Sequence, residues 1–453
     1  MAGKPSPGNI SAKLERIAAL AKQAPDMQFT TLAHHVDLEW LHQAYRWTRK
    51  SGSPGIDGQT AQQYAQDLDE NLQSLLGRAK SGGYRAPSVK RVHIPKGDGK
   101  TMRPIGIPTF EDKVLQRAVA MVLGAVYEQD FLDCSYGFRP GRCQHDALDA
   151  LWHGLKRMGG GWVLEVDIKA FFDRIDHTLL RETLRHRVLD GVLLRLIGKW
   201  LNAGVLEDGQ VSYSEEGTPQ GGVISPLLSN VFLHEVVDVW FEEQAKARLR
   251  GRAFMIRFAD DIVMVFEHED DARKVMRVLP KRLGKYKLEL HPTKTRLVDF
   301  RSPVRRRPND DGPDDRGPGT FNMLGFTHHW KKNRKGNWTV GRCTAKDRKS
   351  RVIKALGTWC REHRHDPVDT QWRQLCSKLR GHIQYYGVTY NFPALSEVIH
   401  RTARIWHKWL SRRSQQRTLD WTKMQRLLRR YPLPQPHIPH QLFPFPRAAK
   451  PAF

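Results

Sequence analysis

Two adjacent carboxylates, Asp260 and Asp261, sit inside a largely apolar, β-branched run from Phe254 to Phe266, FMIRFADDIVMVF. Such a run reads as two strands flanking a tight turn. The turn lacks the usual hairpin chemistry, because Ala259 and Ile262 flank the pair and no Gly, Pro or Asn-Gly occurs there. An acidic pair at an ordinary hairpin tip is common. In an apolar setting, however, two carboxylates repel one another and lose hydration. A divalent cation relieves both costs.

A third carboxylate stands in a similar setting. In Trp162–His177, WVLEVDIKAFFDRIDH, Asp167 ends a hydrophobic strand. Alternation groups Val163, Glu165 and Asp167 apart from Leu164 and Val166. A strand-end Asp also serves as a cap for a following helix, so this residue alone does not decide the matter. Together the two features suit magnesium, which takes oxygen ligands, one or two carboxylates plus substrate phosphates. Two such ions serve nucleotidyl transfer: one activates the attacking 3′-hydroxyl, the other holds the triphosphate.

The rest of the chain gives this chemistry its frame. Residues 1 to about 75 carry helical spacing, as in Leu14, Ile17, Ala18 and Ala21, and in Leu38, Leu41 and Tyr45. Ser51 to Gly58 is a turn-rich break. From about 85 to 300, short β-branched runs alternate with helical patterns, the mark of an α/β or α+β core. Val89–Ile94 predicts a strand, and Lys96 to Gly99 the turn after it. Residues 302–320 are rich in Pro, Gly, Asp and Arg and predict a mobile insertion. Past about 345 the pattern is helical. Trp372, Leu375, Cys376, Leu379, Ile383 and Tyr386 share one face; Leu395, Val398, Ile399, Trp406, Trp409 and Leu410 share another. A Pro-rich tail follows from Tyr431.

Charge points to the partner. The 453 residues hold 74 Lys plus Arg against 48 Asp plus Glu, a net charge of +26. An excess of that size suits a polyanion, since each neutralised phosphate releases condensed counterions. Five cysteines without a C-x-x-C pair argue against a disulfide framework or a zinc knuckle. No apolar run approaches the ~20 residues of a spanning helix, and the N-terminus has no secretory core, so the expectation is an intracellular protein with no membrane partner.

The order of motifs resembles that of group II intron-encoded reverse transcriptases, also called maturases. It runs IPKGDGKTMRPIGIP (94–108), SYGFRPG (135–141), DIKAFFD (167–173), GTPQGGVISPLL (217–228), FADD (258–261), HPTKT (291–295) and LGF (324–326). The likeness covers roughly residues 50–440. It implies an α+β fold, a right-hand polymerase with fingers and palm built from antiparallel sheet and helices, and a helical thumb. The implied domains are an N-terminal helical extension (1–75), fingers and palm (76–340, with 302–320 as a flexible insertion), a thumb or maturase domain X (341–431) and the tail (432–453). The implied metal set is Asp167, Ile168, Asp260 and Asp261 around two Mg2+, with Mn2+ as a substitute. Lys96 and Arg103 match finger residues that contact the incoming triphosphate, and Gln220 the residue lying along the nucleotide.

Phe172, five residues after Asp167, falls where these polymerases place an aromatic against the sugar. A ring there leaves no room for the 2′-hydroxyl that separates RNA from DNA precursors; Phe171 is expected in the core. Lys294, Leu324 and Gly325 are expected near nucleic acid. In the thumb, Arg380, Arg404 and Lys408 stand opposite core-spaced aromatics and are the better candidates for RNA contact. The implied partners are group II intron RNA, an RNA template with DNA primer or DNA target, and deoxynucleotides. The implied location is the bacterial cytoplasm, at the nucleoid when acting on DNA. The implied roles are cDNA synthesis, splicing of the intron and retrohoming. Two other readings share these motifs: a domesticated enzyme of phage defence or DNA repair, and an RNA-binding splicing factor without polymerase activity. Two departures stand out. Phe258 replaces the more usual Tyr, and no paired Cys and His follow Pro432, so second-strand nicking is not expected.

Overall fold

The computed structural model describes residues 7–95, 102–207, 210–213, 216–217, 221–305, 319–414 and 419–442. In chain order the helices and strands are α1 (Pro7–Gln23), α2 (Leu38–Trp47), α3 (Ala61–Tyr64), α4 (Leu68–Ser81), β1 (Val89–Pro95), β2 (Met102–Ile107), α5 (Phe110–Asp130), α6 (Gln144–Met158), β3 (Trp162–Val166), α7 (His177–Arg185), α8 (Gly191–Leu201), β4 (Val205–Glu207), β5 (Gln210–Ser212) and α9 (Ser225–Leu233). Then come β6 (Ala253–Phe258), β7 (Asp261–Phe266), α10 (Glu269–Lys285), β8 (Arg296–Asp299), β9 (Phe321–Met323), β10 (Phe326–Lys332), β11 (Trp338–Thr344), α11 (Lys346–Glu362), α12 (Val368–Tyr386), α13 (Phe392–Leu410) and α14 (Trp421–Arg430). The class is α+β. Among the described residues three sheets form, ordered β2-β1-β4-β5, β6-β7-β3-β8 and β11-β10-β9. The predicted strand at Val89–Ile94 is β1; the predicted turn at Lys96–Gly99 lies outside the described residues, as does most of the 302–320 insertion.

The chain divides into two compact units, the first of Met1–Cys143, Val166–Met264 and Asp270–Arg296, the second of Gln144–Glu165, Val265–Glu269 and Leu297–Phe453. In the first, α5 is the central helix. Val114, Leu115, Ala118, Val119, Val122, Leu123 and Val126 are buried around its girth, as a helix covered on several sides requires. Thr109 caps its start by accepting from Asp112 N, which satisfies one orphan donor. The N-terminal helices pack on it directly, and Trp40 Nε1 donates to Ala118 O at 3.0 Å. The N-terminal helices therefore share a unit with residues up to 143, and α4 runs through position 75 rather than stopping there. The first sheet pairs β1 with β2 antiparallel but β1 with β4 parallel, so it is mixed where an antiparallel sheet was expected.

In the second unit β9, β10 and β11 form an antiparallel meander, onto which α6 packs with Trp152 Nε1 donating to Val340 O. The helical bundle α11–α14 buries Leu356, Cys360, Leu375, Leu379, Val398, Trp406, Leu410 and Met424. Leu375, Leu379, Val398, Trp406 and Leu410 lie on the faces that helical spacing selects. Trp406 is fully buried and donates to Gln371 Oε1 at 2.9 Å. Truncating such a residue to Ala costs about 3–5 kcal/mol. All five cysteines are free thiols. Among the described residues, no helix is long and apolar enough to cross a membrane.

Candidate active site

The predicted hairpin forms, and its turn is unusual. β6 ends at Phe258 and β7 begins at Asp261. With no glycine available, Ala259 takes the left-handed conformation, φ +55°. A side chain there costs roughly 1–2 kcal/mol, so the surroundings must hold it. Ala170, three residues after Asp167, is left-handed as well, φ +48°. Non-glycine residues in this region therefore sit beside both carboxylate segments.

Asp167 lies where β3 gives way to a strand-like segment. Its carbonyl accepts from His291 N at 2.7 Å, and Ile168 bridges Leu290. The HPTKT segment is thus laid against Asp167, and Lys294 Nζ reaches Asp167 Oδ2 at 3.3 Å. Ile168 has a buried side chain, so any part it takes in metal binding falls to its carbonyl.

The charges converge at Asp260. This half-buried carboxyl is held above the usual aspartate range, first by burial; Asp167 pushes the same way, while Arg103 and Lys294 oppose it. The charges of Arg103, Asp167 and Lys294 are thus all felt at Asp260. Asp261 is exposed at the first position of β7. Among the described residues, no three His, Cys, Asp or Glu close into a metal cage by themselves. An open set of carboxylate oxygens suits a hard divalent cation that completes its shell with water and phosphate. The raised carboxyl of Asp260 points the same way, since a cation offsets its burial.

Two glycine contacts tie further motifs to one another. Gly221 has φ +118°, and a Cβ there would lie 2.5 Å from Gly106 O, which joins the GTPQGG segment to β2. Gly217 presses on Asp173, and its N donates to Ile175 O at 2.9 Å. Lys96 and Gln220 themselves lie outside the described residues. Phe171 is buried and Phe172 half-buried, their rings edge to face at 5.2 Å. Phe171 is core, as expected.

The remaining candidates belong to the second unit. Leu324 (φ +51°) and Gly325 (φ +79°) make the β9–β10 turn. Tyr385 Oη donates to the Leu324 carbonyl at 3.1 Å. Arg380 is exposed on α12, and Arg404 and Lys408 are exposed one turn apart on α13. The latter two line a groove of about 680 Å3 with His400, Ile405, His407 and Trp421.

Sequence reasoning missed the support behind the hairpin. Gly137 abuts it so closely that a Cβ would lie 2.4 Å from Ala259 N. Arg257 is fully buried and paired with Asp238. The available signal was an arginine inside an apolar strand.

Comparison with known proteins gives the family. Residues 94–328 match the family model described as reverse transcriptase (RNA-dependent DNA polymerase). Protein YkfC of Escherichia coli K12 is 34% identical over 323 residues, spanning 64% of this chain and 84% of that protein. The group II intron-encoded protein LtrA of Lactococcus lactis subsp. cremoris is 39% identical over 231 residues, 50% of this chain and 37% of the relative. Nuclear intron maturase 2, mitochondrial, of Arabidopsis thaliana is 25% identical over 178 residues, 30% of this chain and 24% of that protein. The chain thus spans most of the first relative's length and well under half of the other two.

Proposed function

The chain belongs to the reverse transcriptase family, and we propose that it is the group II intron type of RNA-directed DNA polymerase, with nucleotidyl transfer centred on Asp167, Asp260 and Asp261. The observation that supports this reading is the half-buried Asp260 carboxyl under the influence of Asp167, Arg103 and Lys294, with Lys294 Nζ 3.3 Å from Asp167 Oδ2. Asp167, Asp260 and Asp261, with the Ile168 carbonyl, would hold two Mg2+, for which Mn2+ can substitute. Bound there, the ions would lower the pKa of the primer 3′-hydroxyl and neutralise the leaving pyrophosphate.

The chain's own groups do the positioning. Arg103 and Lys96 bind the triphosphate, Gln220 lies along the nucleotide, and Phe172 excludes the 2′-hydroxyl. Lys294 and the Leu324–Gly325 turn lie against the primer and template. Fingers and palm run to about residue 340 after an N-terminal helical extension whose last helix, α4, ends at Ser81; residues 341–431 form the thumb, and 432–453 the tail. In the thumb Arg380, Arg404 and Lys408 grip RNA, the surface through which the protein binds its intron, promotes splicing and takes part in retrohoming. The large positive charge supports a nucleic-acid partner of this kind. The reaction takes place in the cytoplasm, at the nucleoid when the target is DNA.

The test is primer extension on an RNA template with a DNA primer, deoxynucleotides and magnesium. Full-length cDNA is expected. Folded protein that binds the template yet adds no nucleotide overturns the assignment.

A further inference from the structure

Arg257 occupies the fifth position of β6, two residues before Ala259, and is fully buried. Its Nε donates to Asp238 Oδ1 at 2.7 Å and one terminal nitrogen to Asp238 Oδ2 at 2.5 Å. The same nitrogen donates to Ser135 Oγ at 2.8 Å. The other donates to Asn230 Oδ1 at 2.9 Å and to the Ala259 carbonyl at 3.2 Å. A guanidinium has five N–H donors, and here each has an acceptor. The acceptors extend the hold. Asn230 also donates to Gly137 O at 2.6 Å, and the Ser135 segment pairs with Arg257 along the backbone.

Local winding makes this convergence feasible. Asn230 lies on α9 and Asp238 in the π-helical stretch His234–Ala245 that continues it. Eight residues of α-helix rotate ~80° beyond two full turns, which would aim the two side chains apart. The wider π winding rotates less per residue and brings them back toward one face.

Stability alone does not account for the arrangement, since replacing a buried ion pair by apolar residues of similar volume is often neutral or stabilising. What an apolar pair cannot do is grip a carbonyl. The geometry points to Arg257 as a positioning residue for the metal-binding turn: clamped by Asp238, it fixes the Ala259 carbonyl in the left-handed turn and so aims the adjoining Asp260 carboxylate. The inference rests on the reading of Asp260 as a metal ligand.

The test removes the grip while sparing the fold. Asp238→Leu/Arg257→Met deletes both charges together, and Arg257→Lys keeps the charge without the planar fork. The measurements are Mn2+ affinity by electron paramagnetic resonance, amide hydrogen exchange across Phe258–Ile262, and kcat and dNTP KM in primer extension. Both variants are expected to bind Mn2+ roughly tenfold more weakly, as loss of a supporting partner does at metal sites. Turn amides should exchange faster, and kcat should fall more than KM rises. Wild-type Mn2+ affinity and exchange in either folded variant overturns the proposal. Should the double variant fail to fold, Arg257→Lys decides. Asp260→Asn in parallel separates the two claims: if it binds Mn2+ and synthesises cDNA normally, the site assignment fails; if it alone is impaired, only the positioning role fails.

Discussion

Lys294 Nζ stands 3.3 Å from Asp167 Oδ2, so the strand-end carboxylate already has a positive partner within the protein. The lysine comes from the HPTKT segment, which backbone hydrogen bonds hold against Asp167. A metal ion binding at Asp167 would have to compete with that ammonium.

Lys294→Met should therefore lower the magnesium concentration that gives half-maximal cDNA synthesis. Both partners are more than a third exposed, and such pairs contribute only about 0.2–1 kcal/mol. The shift should be at most about fivefold. A magnesium titration of primer extension reads it; a higher requirement would mean that the lysine helps hold the metal site together.

Asp260→Ala/Asp261→Ala should abolish cDNA synthesis and leave RNA affinity nearly unchanged, because most phosphate contact comes from basic residues elsewhere. Filter binding and primer extension on one preparation check both halves. Retained polymerisation would refute the carboxylate assignment.

Phe172→Val should admit ribonucleotides. The ring is held edge to face on Phe171, and valine keeps an apolar side chain while opening room beside the sugar. The ratio of dNTP to rNTP incorporation should fall by at least an order of magnitude, of the size a built steric or polar discrimination supplies. An unchanged ratio would put the gate elsewhere.

Asp112 sets a pH dependence of stability apart from the reaction. Its buried carboxyl takes hydrogen bonds from Tyr84 Oη and Trp200 Nε1, the latter at 3.2 Å. Burial pushes it up to about 7, against about 3.9 in an unfolded chain. The stability it contributes is complete below the unfolded value and is lost as pH rises through about 7. Asp112→Asn should thus raise the melting temperature relative to wild type above pH 7, with a gain that shrinks toward pH 4. Thermal unfolding across that range checks the sign.

The parts legible in the sequence are those governed by local pattern. Leu375 and Leu379 on one face gave the core of the C-terminal helical bundle, and apolar runs around Asp260 and Asp167 gave the hairpin and the strand. The parts that were not legible depend on pairing at long separation. Asp238 and Asn230 sit in a stretch whose spacing gives no sign of π winding, and nothing local links them to Arg257. The left-handed turn at Ala259 was hidden for a different reason: alanine carries no turn signal, and its conformation is imposed by Arg257 and Gly137. The N-terminal boundary drawn at 75 cuts α4 because the Gly-rich break at 82–83 ends the helix later.

Gly137 leaves no clearance against the backbone of Phe258 and Ala259. The SYGFRPG loop and the aspartate hairpin are therefore machined to one tolerance, although they are far apart along the chain. A chimera that imports one of them from a relative without the other will inherit a mismatch at this seam. Anyone recombining such polymerases should exchange the two segments as a matched set.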